Sequence, residues 1–190
     1  MNNYEYIIAS LPVLEKDEKD LDTDALIGQI KELCSDKDRR TVEFLLDGYD
    51  GSKLSESFYR EALKSGSRYI REFFTFDLNV RNSKVKYLNE ALDRPEGKDV
   101  IEIETDEFSE RSKIEGILAG NNLLARERDI DELFWQKIDE LTEMEVFSLD
   151  RILGLVSKIK IIDRWVKLDR QTGRELFRKL VEEIKETHGI

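Results

Sequence analysis

The sequence predicts an all-α protein, a multi-helix bundle of antiparallel helices with a short N-terminal extended arm. Good helix formers dominate, and the 190 residues include only 2 Pro and 10 Gly. Apolar residues recur at the helical period, and Ser, Thr or Asp stands where each helix needs an N-cap. The composition, 39% hydrophobic and 38% charged with aromatic residues present, is typical of a folded chain.

In the N-terminal segment Tyr4, Tyr6 and Ile8 alternate with Glu5 and Ile7, and the run stops at Leu11-Pro12. This pattern predicts a short strand or extended arm, and a helical turn ending before Pro12 is the alternative. Capped periodic segments then predict three helices, over about 24–34, over about 35–47 and from Ser55 onward.

The central helix, predicted over Arg68–Leu92, is apolar around more than half of its circumference, as a buried helix is. Its middle nevertheless carries Asp77, Asn79, Arg81 and Asn82. Asp77 and Arg81 stand four residues apart, where opposite charges can pair. Because buried polar groups need partners, we expect another helix or a bound protein to satisfy this patch. An ordinary salt bridge with solvated amides is the alternative.

The second half begins with an alternating apolar and acidic segment, Val100–Phe108. A lone strand would have nothing to pair with, so we favour an acidic loop around a short apolar anchor. Helices are predicted over about 109–118 and 129–144, and from Ser148 onward. Thr172 is expected to open a last amphipathic helix that buries Leu176, Leu180, Val181 and Ile184.

We expect a single helical domain over 1–190, with two sub-units over about 1–95 and 107–190 joined by an acidic loop, 96–106, as a finer division. A faint repeat favours this division, because Phe74–Asp77 and Phe147–Asp150 match in type. If the repeat reflects duplication, Asp77 and Asp150 should occupy similar places, each near the start or a bend of a buried helix.

Charge is unevenly distributed around the net value of −11. The predicted connections near 15–24 and 96–110 are acidic, whereas 60–86 and 157–179 are basic. Solvated surfaces are the simpler interpretation, and electrostatic sorting of partners is the alternative. The net charge disfavours nucleic acid as a partner. The sequence carries no signal-peptide pattern and no apolar run long enough to span a membrane, and its lone cysteine, Cys34, suits a cytoplasmic location.

No catalytic set is recognisable. The chain has one histidine, His188, and one cysteine, too few for the usual zinc sites. Phosphate-binding glycine loops and calcium-loop spacing are absent from the sequence. We therefore expect a non-enzymatic protein with no cofactor and no metal. A helical enzyme that uses acidic residues and Mg²⁺ is an alternative, but paired carboxylates at helical spacing on apolar faces are missing.

The stretch FFTFDLNVRNSKVKYLNEAL resembles the C subunit of prokaryotic V-type ATP synthases, the d subunit of the eukaryotic pump. Each helical unit of that family holds an aromatic residue, an acid and an Asn shortly after it, which lead into a helix. The matching positions here are Phe76, Asp77 and Asn79, followed by Arg81. The opening NYEYIIASLP and the terminal helices also resemble small proteins encoded beside bacterial V-type ATP synthase subunits. The family's three units form a funnel, whereas this chain has room for two at most.

The resemblance implies a non-catalytic subunit that couples the central rotor stalk to the membrane rotor ring during ATP-driven ion transport. Its partners would be central-stalk subunits and the rotor ring, and it would lie in the cytoplasm, peripheral to the membrane, without spanning it. Structural or interface roles are expected for Phe76, Asp77, Asn79, Arg81 and Asp150. A helical adaptor or regulatory protein-interaction module unrelated to the ATPase is the alternative.

Overall fold

A computed structural model describes residues 3–105 and 108–188, and the side chains of the last helix only as far as Asp169, with Thr172 and Glu175 beyond it. Within these ranges the chain forms eight α-helices and no strand, which confirms the predicted all-α class. The helices are α1 (Tyr4–Ala9), α2 (Thr23–Leu33), α3 (Asp36–Asp47), α4 (Glu56–Leu63), α5 (Arg68–Ala91), α6 (Arg111–Leu118), α7 (Leu123–Thr142) and α8 (Leu149–His188).

The N-terminal segment corrects the first prediction, because it is helical and not an extended arm. Helix α1 buries Ile7, which is 1% exposed, and leaves Tyr6 largely in solvent. The Tyr4 hydroxyl donates to Asp38 of α3 at 3.1 Å. Burial of one side chain against the helical body therefore overrides the alternation that predicted extended backbone.

The N-terminal boundaries of the next helices agree with their capping residues. The side chains of Asp22, Ser35 and Ser55 accept hydrogen bonds from the backbone N–H groups of Ala25, Asp38 and Phe58. Each cap satisfies a donor that the first helical turn leaves without a partner. Ser67 caps α5 in the same way, so α5 begins at the predicted residue, Arg68.

Two boundaries in the second half differ from the prediction. Helix α7 begins at Leu123, six residues before the expected start, because the Asn122 side chain accepts from the Ala125 N–H and provides an earlier cap. Helix α8 continues through Thr172, so the separate terminal helix is wrong. Gly173 does not break it, because a single glycine inside a helix costs only about 1 kcal/mol. The expected burial of Leu176, Leu180, Val181 and Ile184 lies outside the described side chains.

Helices α5, α7 and α8 form the centre of the bundle, with α7 antiparallel to the other two. At one end, Arg68 at the start of α5 donates to the carbonyl of Leu141 near the end of α7, at 2.9 Å. At the other end, Glu127 near the start of α7 pairs with Lys84 of α5 at 3.0 Å and with Arg164 of α8 at 3.3 Å. Helices α1 to α4 pack along this core, with α2 against α8 and α4 against α5.

The apolar interior consists of two clusters. The larger is rich in aromatic rings and includes Tyr59, Tyr69 and Phe74, each at most 1% exposed. The smaller surrounds Phe76 and joins α5 to α6 and α7. Phe134 packs against both clusters.

The connection after α5 follows the predicted arrangement in its described part, residues 92–105. This stretch is irregular, and two of its apolar side chains, Ile101 and Ile103, pack against the larger cluster. Phe108 is buried in the smaller cluster. The acidic residues between Ile101 and Thr105 remain exposed, which is the expected loop with an apolar anchor.

The structure does not support the predicted repeat. Asp77 lies in the middle of α5, whereas Asp150 lies in the first turn of α8. The aromatic residues three positions earlier also differ, because Phe74 is 1% exposed and Phe147 is 55% exposed. The two matching stretches therefore have different local structures, and Asp77 and Asp150 do not occupy similar places.

Candidate functional site

The polar patch of α5 is satisfied by other elements, as expected, but not through the predicted ion pair. Asp77 accepts a hydrogen bond from the Tyr59 hydroxyl of α4 at 2.6 Å. Arg81 instead donates to the backbone carbonyl of Asp99 at 3.2 Å. No ion pair joins Asp77 and Arg81 in the described structure, so that prediction is wrong. The i, i+4 spacing permits the pair, but partners from other elements take its place.

The connection after α5 satisfies the amides of this patch. Asn82 donates to the Ile101 carbonyl at 2.9 Å and accepts from the Ile101 N–H at 3.1 Å, so its amide mimics a strand partner. The side-chain oxygen Oδ1 of Asn79 accepts from the Thr105 hydroxyl at 3.3 Å. These contacts fix the connection against the middle of α5.

The two remaining candidates lie apart from this patch. Phe76 is buried in the smaller cluster, where its ring meets Phe134 edge-on with centroids 5.1 Å apart. Asp150 accepts from Ser67 at 3.2 Å, at the end of the helical core where α5 begins. Both residues have packing or capping contacts, and the structure does not bring them together with Asp77.

A cavity of about 470 Å³ lies where α5, α7 and α8 meet the α3–α4 connection. Asp77 and Arg81 form part of its wall, together with Tyr59 of α4. The other lining residues are Gly48, Tyr49, Gly51, Leu54, Phe73, Val80, Lys84, Val85, Ile130, Asp131, Phe134, Lys160, Ile161 and Arg164. Small-molecule sites in proteins are commonly of this size and have mainly apolar walls with a few polar groups.

Burial shifts the pKa values of the acidic groups in this cavity. It raises the pKa of Asp77 to about 6, although the Tyr59 hydrogen bond and the charges of Arg81 and Lys84 act in the opposite direction. Burial also raises the pKa of Asp131, against the opposing effects of Arg164 and a hydrogen bond from Trp165. Carboxyl groups with perturbed pKa values in a cleft are typical of functional sites.

Tyr49 lines the cavity, but its hydroxyl does not face the open space. The hydroxyl is fully buried and lies beside Ser157, whose own hydroxyl accepts from Tyr69 at 2.8 Å. Burial raises the pKa of Tyr49 above its ordinary value. A ligand in the cavity therefore meets the body of Tyr49 and not its hydroxyl.

The cavity wall combines apolar side chains with a few charged and phenolic ones, which is the composition of a ligand-binding site. The described residues that line the cavity include no Cys, His, Ser or Thr. Sequence reasoning identified Asp77 and Arg81 but missed Tyr49, Tyr59 and Asp131. The sequence offers no local signal for these three, because their proximity to α5 comes only from helix packing.

Part of the chain is similar to a known protein family. Residues 98–188 match the model of a family described as "Protein of unknown function (DUF2764)". The match covers α6, α7 and α8, and excludes α5 and the α3–α4 connection. No curated protein and no solved structure matches the chain. In the described ranges, no helix has the length and apolarity needed to cross a bilayer.

Proposed function

We propose that this protein is a non-catalytic subunit of a V-type ATPase, coupling the central rotor stalk to the membrane rotor ring. A coupling subunit needs a stiff body with a separate contact surface at each end. The observation that carries the proposal is a pair of exposed apolar patches at opposite ends of the α5–α7–α8 core. The resemblance of the α5 motif to the C subunit family supplies the identity of the partners.

The first patch lies in the connection between α7 and α8. Met144, Val146 and Phe147 are 88%, 64% and 55% exposed, and they lie within four residues of one another. Three large apolar side chains so close together in one connection are more than the scattered exposure that is normal for a protein surface. We define them as the connection patch.

The second patch lies at the other end of the core, where α5 ends and α7 begins. Arg126 of α7 lies over the ring of Tyr87 of α5, 5.2 Å from its centroid, which brings these two helix ends together. Four exposed leucines lie on or next to these two helix ends: Leu88, Leu92, Leu123 and Leu124. We define them as the leucine patch. Because α7 has 20 residues, the two patches are separated by about 30 Å.

The body between the patches has the contacts of a rigid element. Arg164 of α8 pairs with Asp131 of α7 at 2.6 Å, and Lys84 of α5 pairs with Glu127 of the same helix. Tyr69 of α5 is fully buried and reaches α8 through its hydrogen bond to Ser157. Charged contacts and buried rings along all three helices oppose sliding of one helix past another. A subunit that transmits torque needs this resistance to sliding.

The experiment compares binding of patch variants to rotor components from the same organism. One variant carries Met144→Glu and Phe147→Glu, and another carries Leu123→Glu and Leu124→Glu. Val13→Glu is the matched control, because Val13 is 88% exposed but belongs to neither patch. Each protein is mixed at micromolar concentration and moderate salt with central-stalk subunits or with detergent-solubilised rotor ring, and co-elution is measured.

We expect the wild type and the control to co-elute with both components. Each double variant should lose one component and retain the other, since the two patches serve different partners. Circular dichroism checks that all variants remain helical. Failure of the folded wild type to bind either component would reject the rotor role and leave the helical adaptor.

A further inference from the structure

The central cavity combines an aromatic floor with polar groups on one side. The rings of Phe73 and Phe134, whose centroids lie 5.9 Å apart, form part of its apolar surface. Branched side chains from α5, α7 and α8 extend this surface: Val80, Val85, Ile130 and Ile161. A ligand that fills this volume therefore needs an apolar body.

Three of the four cations in the wall already have carboxylate partners. Lys84 pairs with Glu127, Lys160 pairs with Asp163 at 2.9 Å, and Arg164 pairs with Asp131. Arg81 is the exception within the described part of the chain. Its hydrogen bonds go to the Asp99 carbonyl and the Asn82 side chain, and both use the same nitrogen, Nη1.

The remaining donors of Arg81 are thus without a described partner. A guanidinium group offers five N–H donors in a planar fork that matches a carboxylate. The charge of nearby Asp77 limits the excess positive charge of this wall. A ligand with a single negative charge therefore fits better than a phosphate ester with two.

We propose that this cavity is a binding site for a small monocarboxylate with an apolar body. Arg81 binds the carboxylate, and the apolar body lies against Phe73 and Phe134. The spare donors of Arg81 and the aromatic floor are separate observations that meet in the same cavity. The site does not depend on the rotor role.

The test uses 1-naphthylacetate and its neutral analogue 1-naphthylacetamide as probes, measured by isothermal titration calorimetry on the full-length protein. The two probes share an aromatic body and differ in charge. For 14 non-hydrogen atoms, ordinary ligand efficiency corresponds to dissociation constants at or below about a millimolar. We expect the carboxylate to bind at least about tenfold more tightly than the amide, since hydrogen bonds to charged groups are the stronger kind.

Substitutions then locate the carboxylate contact. Arg81→Gln should weaken carboxylate binding about tenfold or more and change amide binding less than about twofold. Arg60→Gln is the control, because Arg60 is exposed, pairs with Glu56 on α4 and lies outside the cavity lining. Thermal unfolding verifies that each variant folds.

The proposal is overturned if the wild type binds neither probe saturably, or binds both equally. It is also overturned if folded Arg81→Gln retains the affinity of the wild type for the carboxylate, since binding would then be elsewhere or driven by the apolar body alone. If Arg81→Gln does not fold, Arg81→Lys decides the question. This variant keeps the charge without the planar fork, so intermediate carboxylate affinity supports the site and unchanged affinity rejects it.

Discussion

The carboxyl group of Asp77 is expected to destabilise the folded protein at neutral pH, and Asp77→Asn tests this directly. Burial raises its pKa from an ordinary value of 3.8 to about 6. Between these two values the folded protein holds a proton that the unfolded chain has released, so the free energy of unfolding decreases as pH rises. Above pH 6 the full cost of the buried charge is present, and below about pH 4 it disappears.

The magnitude follows from the two pKa values. A difference of one pH unit corresponds to about 1.4 kcal/mol, which gives about 3 kcal/mol for a fully buried group. Asp77 is half-buried on the cavity wall, so screening by solvent lowers the expected figure to about 2 kcal/mol. Asparagine keeps the acceptor for Tyr59 without a charge. Asp77→Asn should therefore match the wild type near pH 3.5 and exceed its stability by about 2 kcal/mol near pH 7.5.

Urea unfolding followed by circular dichroism at a series of pH values measures this difference. Subtracting the wild-type curve isolates Asp77, because all other titrating groups are common to both proteins. The control Asp169→Asn changes an exposed aspartate of α8 and should shift stability by less than about 0.5 kcal/mol at every pH. A difference that stays constant or decreases as pH rises would refute the reasoning, since the charged carboxylate would then stabilise the fold.

Tyr59→Phe provides a second check on the same group. The Tyr59 hydroxyl donates to Asp77 at 2.6 Å and lowers its pKa. Without this bond the charged form of Asp77 is stabilised less, so the benefit of Asp77→Asn at pH 7.5 should increase by about 1 kcal/mol in the Tyr59→Phe background. An unchanged benefit would mean that the hydroxyl does not stabilise the carboxylate.

Three further substitutions test the packing. Asp163 is buried and accepts hydrogen bonds from Thr23, Lys160 and Lys167. Burial alone would raise the pKa of Asp163, but the hydrogen bonds outweigh the effect of burial and lower the pKa. Asp163→Asn should therefore lower the free energy of unfolding by about 2 kcal/mol at pH 7. Urea unfolding should show this loss decreasing below about pH 4, and its sign is opposite to that of the Asp77→Asn effect. A Cβ atom at Gly48 would lie 2.3 Å from the ring of Phe74, whereas one at Gly28 within α2 meets nothing within 4 Å. Gly48→Ala should destabilise by about 1–3 kcal/mol and Gly28→Ala should stabilise by up to about 1 kcal/mol, and equal effects in thermal unfolding would contradict this packing.

The helical class and several helix starts were predictable from the sequence because their causes are local. The side chains of Ser35, Ser55 and Ser148 each accept from an N–H three residues later, so neither the residue nor its partner depends on the rest of the fold. The central helix was predictable for a similar reason, since its apolar period and the absence of Pro and Gly act over a single segment. Local signals also produced the errors, because the alternation at Tyr4–Ile8 and the Thr172 cap are patterns that packing or a continuous helix overrides.

Only the tertiary structure decided what surrounds the polar groups of α5. Asp77 and Arg81 have the spacing of an ion pair, yet Tyr59 lies 18 residues before one and Asp99 lies 18 residues after the other. The burial of the Tyr49 hydroxyl beside Ser157 depends likewise on how the α3–α4 connection meets α5, α7 and α8. Spacing along a chain determines which side chains share a helical face, but burial and partners depend on which faces meet. Sequence periodicity therefore identified the helix and its polar patch. Helix packing created the cavity and determined which of its charged groups are buried and which partners they have.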